Sequence, residues 1–266
     1  MNGSGVAGEE SPLEKQGIYD VDFFSGIAEG AFRSARVVLA LLFEVYQPKS
    51  VFDLGCGQGA WLAAAGELGA SRLVGIDGPW VTTDTLLNKT IEFTTANLEE
   101  NIEILERYDL CISVEVAEHL SANRSRAFVD TLCSSSDVVL FSAAIPQQGG
   151  VNHINEQWQS FWAALFDSAG YGCYDLIRSK VWTDARVESW YRQNLLLFVR
   201  RTHPLEAKLH SCLPAHGPFD IVHPEIYTGN LENFQRPLAE PSLRFCIDIL
   251  RRWCRRQLSK LTGRTR

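Results

Sequence analysis

Nowhere does the chain hold an uninterrupted apolar run of about 18 residues, the length a membrane-spanning helix requires. Met1 to Gln16 lack an apolar signal core as well; they are polar and rich in small residues, which predicts a disordered leader on a cytoplasmic protein. None of the seven cysteines pairs as Cys-x-x-Cys, so a zinc ribbon is excluded, and their odd number argues for reduced thiols rather than a disulfide framework. No internal repeat is evident. The body of the chain also lacks a basic face. The net charge is −7, yet Pro241 to Arg266 holds eight Lys/Arg against the single acid Asp248, so the remainder carries −14. An acidic body disfavours extended nucleic-acid binding.

What is present is the composition of a soluble globular protein, 45% hydrophobic and 21% charged, with enough chain for one large α/β domain plus extensions. Its organising stretch is Val51-Phe52-Asp53-Leu54-Gly55-Cys56-Gly57-Gln58-Gly59-Ala60-Trp61. An apolar lead-in, an acid, glycines at alternate positions and an Ala-rich continuation read as strand, tight turn and helix. Without a Cβ, glycine lets a ligand lie against the backbone, and the helix start offers unpaired N–H groups. The spacing is not the dinucleotide G-x-G-x-x-G, and no Gly-Lys-Ser/Thr follows to make a P-loop.

Asp53-x-Gly55-x-Gly57-x-Gly59 resembles motif I of the class I S-adenosylmethionine-dependent methyltransferases. The rest of the chain alternates strand and helix in the way a parallel sheet covered on both faces requires. Strands are predicted at Ser50–Gly55, Arg72–Asp77, Ile91–Asn97, Tyr108–Glu115 and Ser136–Ala144, then at Tyr174–Trp182 and Gln193–Arg200 as a closing hairpin. Helices are predicted at Glu29–Tyr46, Ala60–Leu68 and Glu156–Gly170. The resemblance implies a Rossmann-like seven-stranded α/β sheet whose last strand inserts antiparallel, with an N-terminal helical lid and a C-terminal helical extension. Residues 17–202 form the expected methyltransferase domain. Residues 203–241 read as an irregular extension, followed by a basic amphipathic helix from Pro241 to Leu261. That helix suits an anionic membrane surface, an acidic partner, a second subunit in a homodimer, or the acidic body of its own chain.

In open α/β sheets, ligands bind beyond the carboxyl ends of the strands. There the resemblance places S-adenosylmethionine on Gly55, Gly57 and Gly59, its ribose hydroxyls on Asp77, and its adenine beside Asn97 and Leu98. Asp53 is expected to hold the glycine turn through backbone N–H groups or to meet the cofactor ammonium indirectly. Arg33 and Arg36 are candidates for the cofactor carboxylate, or simply solvated.

Ser113-Val114-Glu115-Val116-Ala117-Glu118-His119-Leu120 should carry chemistry, because Glu115, Glu118 and His119 fall at i, i+3 and i+4 on one side of a turn. Glu-x-x-Glu-His is similar to the segment of ubiquinone-type O-methyltransferases and of small-RNA 2′-O-methyltransferases. In the latter a further histidine completes a divalent-metal site, and His153 stands in that place. Three readings stay open: Glu115, Glu118, His119 and His153 hold Mg²⁺, Mn²⁺ or Zn²⁺; His119 or His153 is a metal-free general base; or Glu115 binds cofactor and Glu118 caps a helix. Asn152-His153-Ile154-Asn155-Glu156-Gln157-Trp158 together with Trp190-Tyr191-Arg192-Gln193-Asn194 resembles a bacterial group tied to surface-glycan or secondary-metabolite pathways. Trp182, Asp184, Arg186 and Trp190–Asn194 read equally as a polyol pocket or as a hydrophobic hairpin corner. The expected function is O-methylation of a sugar, glycan or related polyol. Its rivals are RNA terminal 2′-O-methylation and an inactive cofactor-binding scaffold.

Overall fold

The computed structural model describes residues 21–209 and 220–239, together with 243, 246, 247 and 249–254. The expected leader at 1–16 lies outside the described residues, as does much of the helix expected over 241–261; its described positions are helical.

Helix α1 (Val21–Phe43) precedes strand β1 (Ser50–Leu54), α2 (Ala60–Glu67), β2 (Arg72–Asp77), β3 (Glu92–Thr95) and β4 (Leu110–Val114). After β4 come α3 (Ser125–Ser135), β5 (Val138–Ser142), α4 (Gln159–Ser168) and β6 (Tyr171–Tyr174). Two short helices, α5 (Arg178–Val181) and α6 (Ser189–Asn194), lead into β7 (Leu196–Arg200), α7 (Pro204–Leu209) and α8 (Pro224–Ala239). The seven strands form one sheet in the order β3-β2-β1-β4-β5-β7-β6. Only β7 runs antiparallel to its neighbours.

Local sequence explains the layers. The central strands β4 and β5 are buried at every position, as continuous apolar runs under helices on both faces must be. In β1 the side chains alternate: Val51 joins the core beneath α1 and α2, while Phe52 and Leu54 join the one beneath α3 and α4. The edge strand β3 is largely exposed and carries Glu92 and two threonines. Helix α1 buries Ala35, Val38, Leu39 and Leu42. Its Arg33 pairs with Glu188 at 2.5 Å and its Arg36 with Glu67 at 3.1 Å, so both arginines considered for the cofactor carboxylate are engaged elsewhere.

The last two strands pair antiparallel as expected, but the limits of the sixth are corrected. The sixth strand ends at Tyr174 instead of beginning there, because β7 supplies partners only for Tyr171 through Tyr174. Beyond that edge the chain winds up, with Arg178 donating to Asp175 at 2.8 Å. The 203–241 stretch read as irregular contains α7 and α8. Among the described residues no helix is long and apolar enough to cross a membrane.

Candidate active site

From β1 the chain winds outward through β2 and β3, then returns to β4 on the other side, so the carboxyl ends of β1 and β4 flank the crevice where order reverses. At the β1 end, Gly55, Gly57 and Gly59 all have positive φ. A Cβ on Gly55 would lie 2.5 Å from Val116, whereas a Cβ on Gly57 would meet nothing within 4 Å. The first glycine therefore serves packing, and the second leaves bare backbone facing open space.

Asp77 shapes this loop. Its carboxylate accepts the Gly57 and Gly78 amides, each at 2.6 Å. Burial raises its pKa, and the two amides oppose the rise. The Trp80 side chain is a third donor to it. The turn-holding role expected of Asp53 thus falls to Asp77. Asp53 is 1% exposed, and neither of its oxygens has a hydrogen-bond partner among the described residues. Burial first, and the Asp77 charge second, push its pKa well above the ordinary carboxylate range. At the next strand end, Asn97 is exposed; it accepts from the Glu99 amide at 3.1 Å and donates to Glu100 at 2.9 Å. That side chain is committed to its own turn, while Leu98 is buried in the core beside Val116.

Beyond β4, Glu115 has φ 55°, uncommon for a residue with a side chain and a mark of a site over-determined by its surroundings. A 3-10 turn, Ala117–His119, follows. The Ile154 and Asn155 amides donate to the Glu118 carbonyl at 2.9 and 3.0 Å. Asn155 also donates through Nδ2 to the Ala117 carbonyl at 3.2 Å and to Ser125 at 3.0 Å. This stitching brings the loop after β5 onto the β4 turn and sets the His119 and His153 rings edge to face, 4.8 Å between centroids.

Ligand atoms of Glu118, His119 and His153 lie within 4.8 Å of one another. Glu118 is fully buried, and among the described residues neither of its oxygens has a hydrogen-bond partner. Burial, and then the Glu115 carboxylate, push its pKa well above the usual range. His119 keeps an exposed edge; partial desolvation, and then the nearby His153, lower its pKa below 6.5, while its bond to the Asn152 backbone opposes the fall. Uncommitted carboxylate oxygens beside two imidazoles are a donor set that fits a divalent transition metal or Mg²⁺. Glu115, the fourth expected ligand, is not part of this cluster. Gln148 Nε2 and Asn194 Nδ2 each donate to it at 3.1 Å.

Two features escaped the sequence reading. Glu156 accepts the Gln147 and Gly149 amides at 2.7 and 2.8 Å and lies 3.2 Å from His153 Nδ1. The i,i+3 spacing of His153 and Glu156 was the available signal. The second feature is His223. Its amide donates to Gln193 at 2.7 Å and its Nε2 lies 2.8 Å from the Trp182 carbonyl, tying the start of α8 to α6. No local pattern foretells that contact. Of the residues read as a polyol pocket or a hairpin corner, Tyr191 to Asn194 are buried, Trp182, Asp184 and Trp190 are half-buried, and Arg186 is exposed. Asn194 and Gln193 donate to Gln148 at 2.9 and 3.0 Å, and Arg192 pairs with Glu225 at 2.5 Å.

This arrangement is the Rossmann-like fold of the class I methyltransferases. A protein of the O-methyltransferase family from Burkholderia thailandensis matches it with TM-score 0.53 and 17% identity, over 72% of this chain and 63% of that one. Human N-acetylserotonin methyltransferase, solved in complex with S-adenosylmethionine, matches with TM-score 0.49 and 16% identity, over 67% of this chain and 55% of that one. In sequence, 99 residues (37% of this chain) are 31% identical to the ribosomal protein L11 methyltransferase of Caldanaerobacter subterraneus subsp. tengcongensis. The match spans 31% of that protein's length. No family model matches the chain.

Proposed function

We propose that the protein transfers a methyl group from S-adenosylmethionine to a hydroxyl of a sugar, glycan or related polyol or secondary metabolite, with a divalent cation aligning the acceptor. The observation that carries this reading is the convergence of Glu118, His119 and His153 one strand away from the glycine loop. Val116, between the two sites, packs against Gly55.

The cofactor fits at the bare backbone of Gly57, with Asp77 beside it and Asp53 behind the loop as an unspent acceptor. When bound, its sulfonium supplies the electrophilic methyl carbon. A divalent cation on Glu118, His119 and His153 would acidify and orient two adjacent hydroxyls. Glu115, held by Gln148 and Asn194, lines the same side and accepts a hydrogen bond from the acceptor. Without a cation, His153 takes the hydroxyl proton at Nε2, its Nδ1–H directed to Glu156. Ile154 and Trp158, exposed beside His153, offer apolar faces to the C–H groups of a sugar ring.

The experiment is methyl transfer from labelled cofactor to a panel of hydroxylated acceptors, with and without a chelator. Loss of activity on chelation, restored by Mn²⁺ or Mg²⁺, supports the cation. Activity indifferent to chelation but abolished by His153→Ala assigns the histidine base instead. The same cluster favours a second reading, 2′-O-methylation of an RNA end. The acidic body opposes it, and RNA methylation whose affinity falls steeply with salt would establish it.

A further inference from the structure

At the end of the chain, Leu243, Ile247, Leu250 and Trp253 recur at intervals of three and four, which places them on one side of a helix. They are 78%, 39%, 60% and 58% exposed. Cys254, on the same side, is also exposed. Arg251 and Arg252 fall on the other side, and in sequence Arg244, Arg255 and Arg256 share that spacing at about 100° per residue. An apolar stripe bordered by arginines is thus left facing water, beside a body of opposite charge.

We propose that this C-terminal stretch binds an anionic membrane surface, lying in the interfacial plane with its stripe in the acyl boundary and its arginines against lipid phosphates. Charge decides among occupants. A second copy pairing stripe to stripe would leave both arginine faces pointing outward, with no anion to meet. The acidic body would attract the helix, yet the stripe remains exposed, so self-docking does not cover it. A bilayer of anionic lipid satisfies both faces at once: apolar burial for Leu243, Ile247 and Leu250, and phosphates for long side chains that extend toward the headgroups. Trp253 at the border of the stripe suits the headgroup level, where an amphipathic ring is favoured. Repulsion of the −14 body from the same surface keeps contact confined to the tail.

The test uses the full chain and vesicles of phosphatidylcholine alone or mixed with phosphatidylglycerol, separated by sedimentation. Binding is expected to the mixed vesicles, at least ten-fold above phosphatidylcholine alone, and to fall as salt rises. Leu250→Glu with Trp253→Glu, and separately Arg251→Glu with Arg252→Glu, are each expected to weaken binding at least ten-fold at unchanged melting temperature. Equal binding to both vesicle types, or mixed-vesicle binding untouched by the Leu250/Trp253 pair, overturns the proposal. So does binding to polyglutamate without vesicle binding, which assigns the helix to an acidic protein. Every readout is independent of methyl transfer.

Discussion

Replacing Asp53 by asparagine isolates the cost of a carboxyl group that the fold buries and leaves without a partner. The carboxyl is 1% exposed, neither oxygen has a hydrogen-bond partner among the described residues, and the like-signed Asp77 acts on it. Its folded pKa is therefore raised well above the ordinary 3.8. Unfolding releases a proton that the native state holds, so stability is fully present below the ordinary value and is lost as pH rises toward the raised one. In that window each pH unit costs about 1.4 kcal/mol. Asparagine has nearly the same shape and inherits the lack of partners, worth about 1–3 kcal/mol, but it has no proton to release. The parent and Asp53→Asn should accordingly differ in slope. Urea denaturation of the ligand-free protein at several pH values from 5 to 8 measures it. The variant should gain on the parent by about 1.4 kcal/mol for each pH unit below the raised pKa, at most about 4 kcal/mol from pH 5 to 8, or roughly 8–16 °C in melting temperature. Parallel curves, or a variant that loses ground as pH rises, would refute the reasoning.

His153→Ala should leave cofactor affinity within about three-fold of the parent by calorimetry while lowering turnover by at least about a hundred-fold. Glu156→Gln, which keeps the shape but loses the charge facing His153 Nδ1, should fall between them, with its pH–rate profile displaced. Gly57→Ala places a methyl in open space at a left-handed φ, so it should cost about 1 kcal/mol of stability and weaken cofactor binding; Gly55→Ala, which collides with Val116, should cost clearly more stability. Comparing melting temperature with cofactor titration for both variants checks that division. Asn194→Asp puts a carboxylate against Glu115 where an amide now donates at 3.1 Å, and should reduce turnover more than Asn194→Ala does. Equal losses in the two variants would mean that Asn194 only fills space.

The comparison of sequence with structure divides along the range of the forces involved. Strand β1, its glycine turn and α2 were legible because local rules write them: an apolar run, glycines where φ must be positive, and an Ala-rich helix. The apolar runs of β4 and β5 likewise announced central strands, and the spacing brought Glu118 and His119 together, whereas Glu115, expected beside them, stands outside the cluster. The sixth strand was misplaced because its limits depend on which residues of β7 remain to pair with it, a property of two segments and not of one. His153 reaches Glu118 and His119 only because Asn155 and the Ile154 amide fasten a loop from β5 to a turn from β4. Glu115 is oriented by Asn194, 79 residues away. Asp53 illustrates the difference most plainly: its sequence position suggested an acid that holds the turn or meets the cofactor indirectly, but it is buried with no hydrogen-bond partner among the described residues, and Asp77 holds the turn. The sequence by itself determined which residues could do chemistry and at which strand ends they would stand. Which of them meet, which are already spent on backbone amides, and which carboxyl stays unpaired were decided by tertiary packing, because desolvation and hydrogen-bond competition exist only once distant segments share a site.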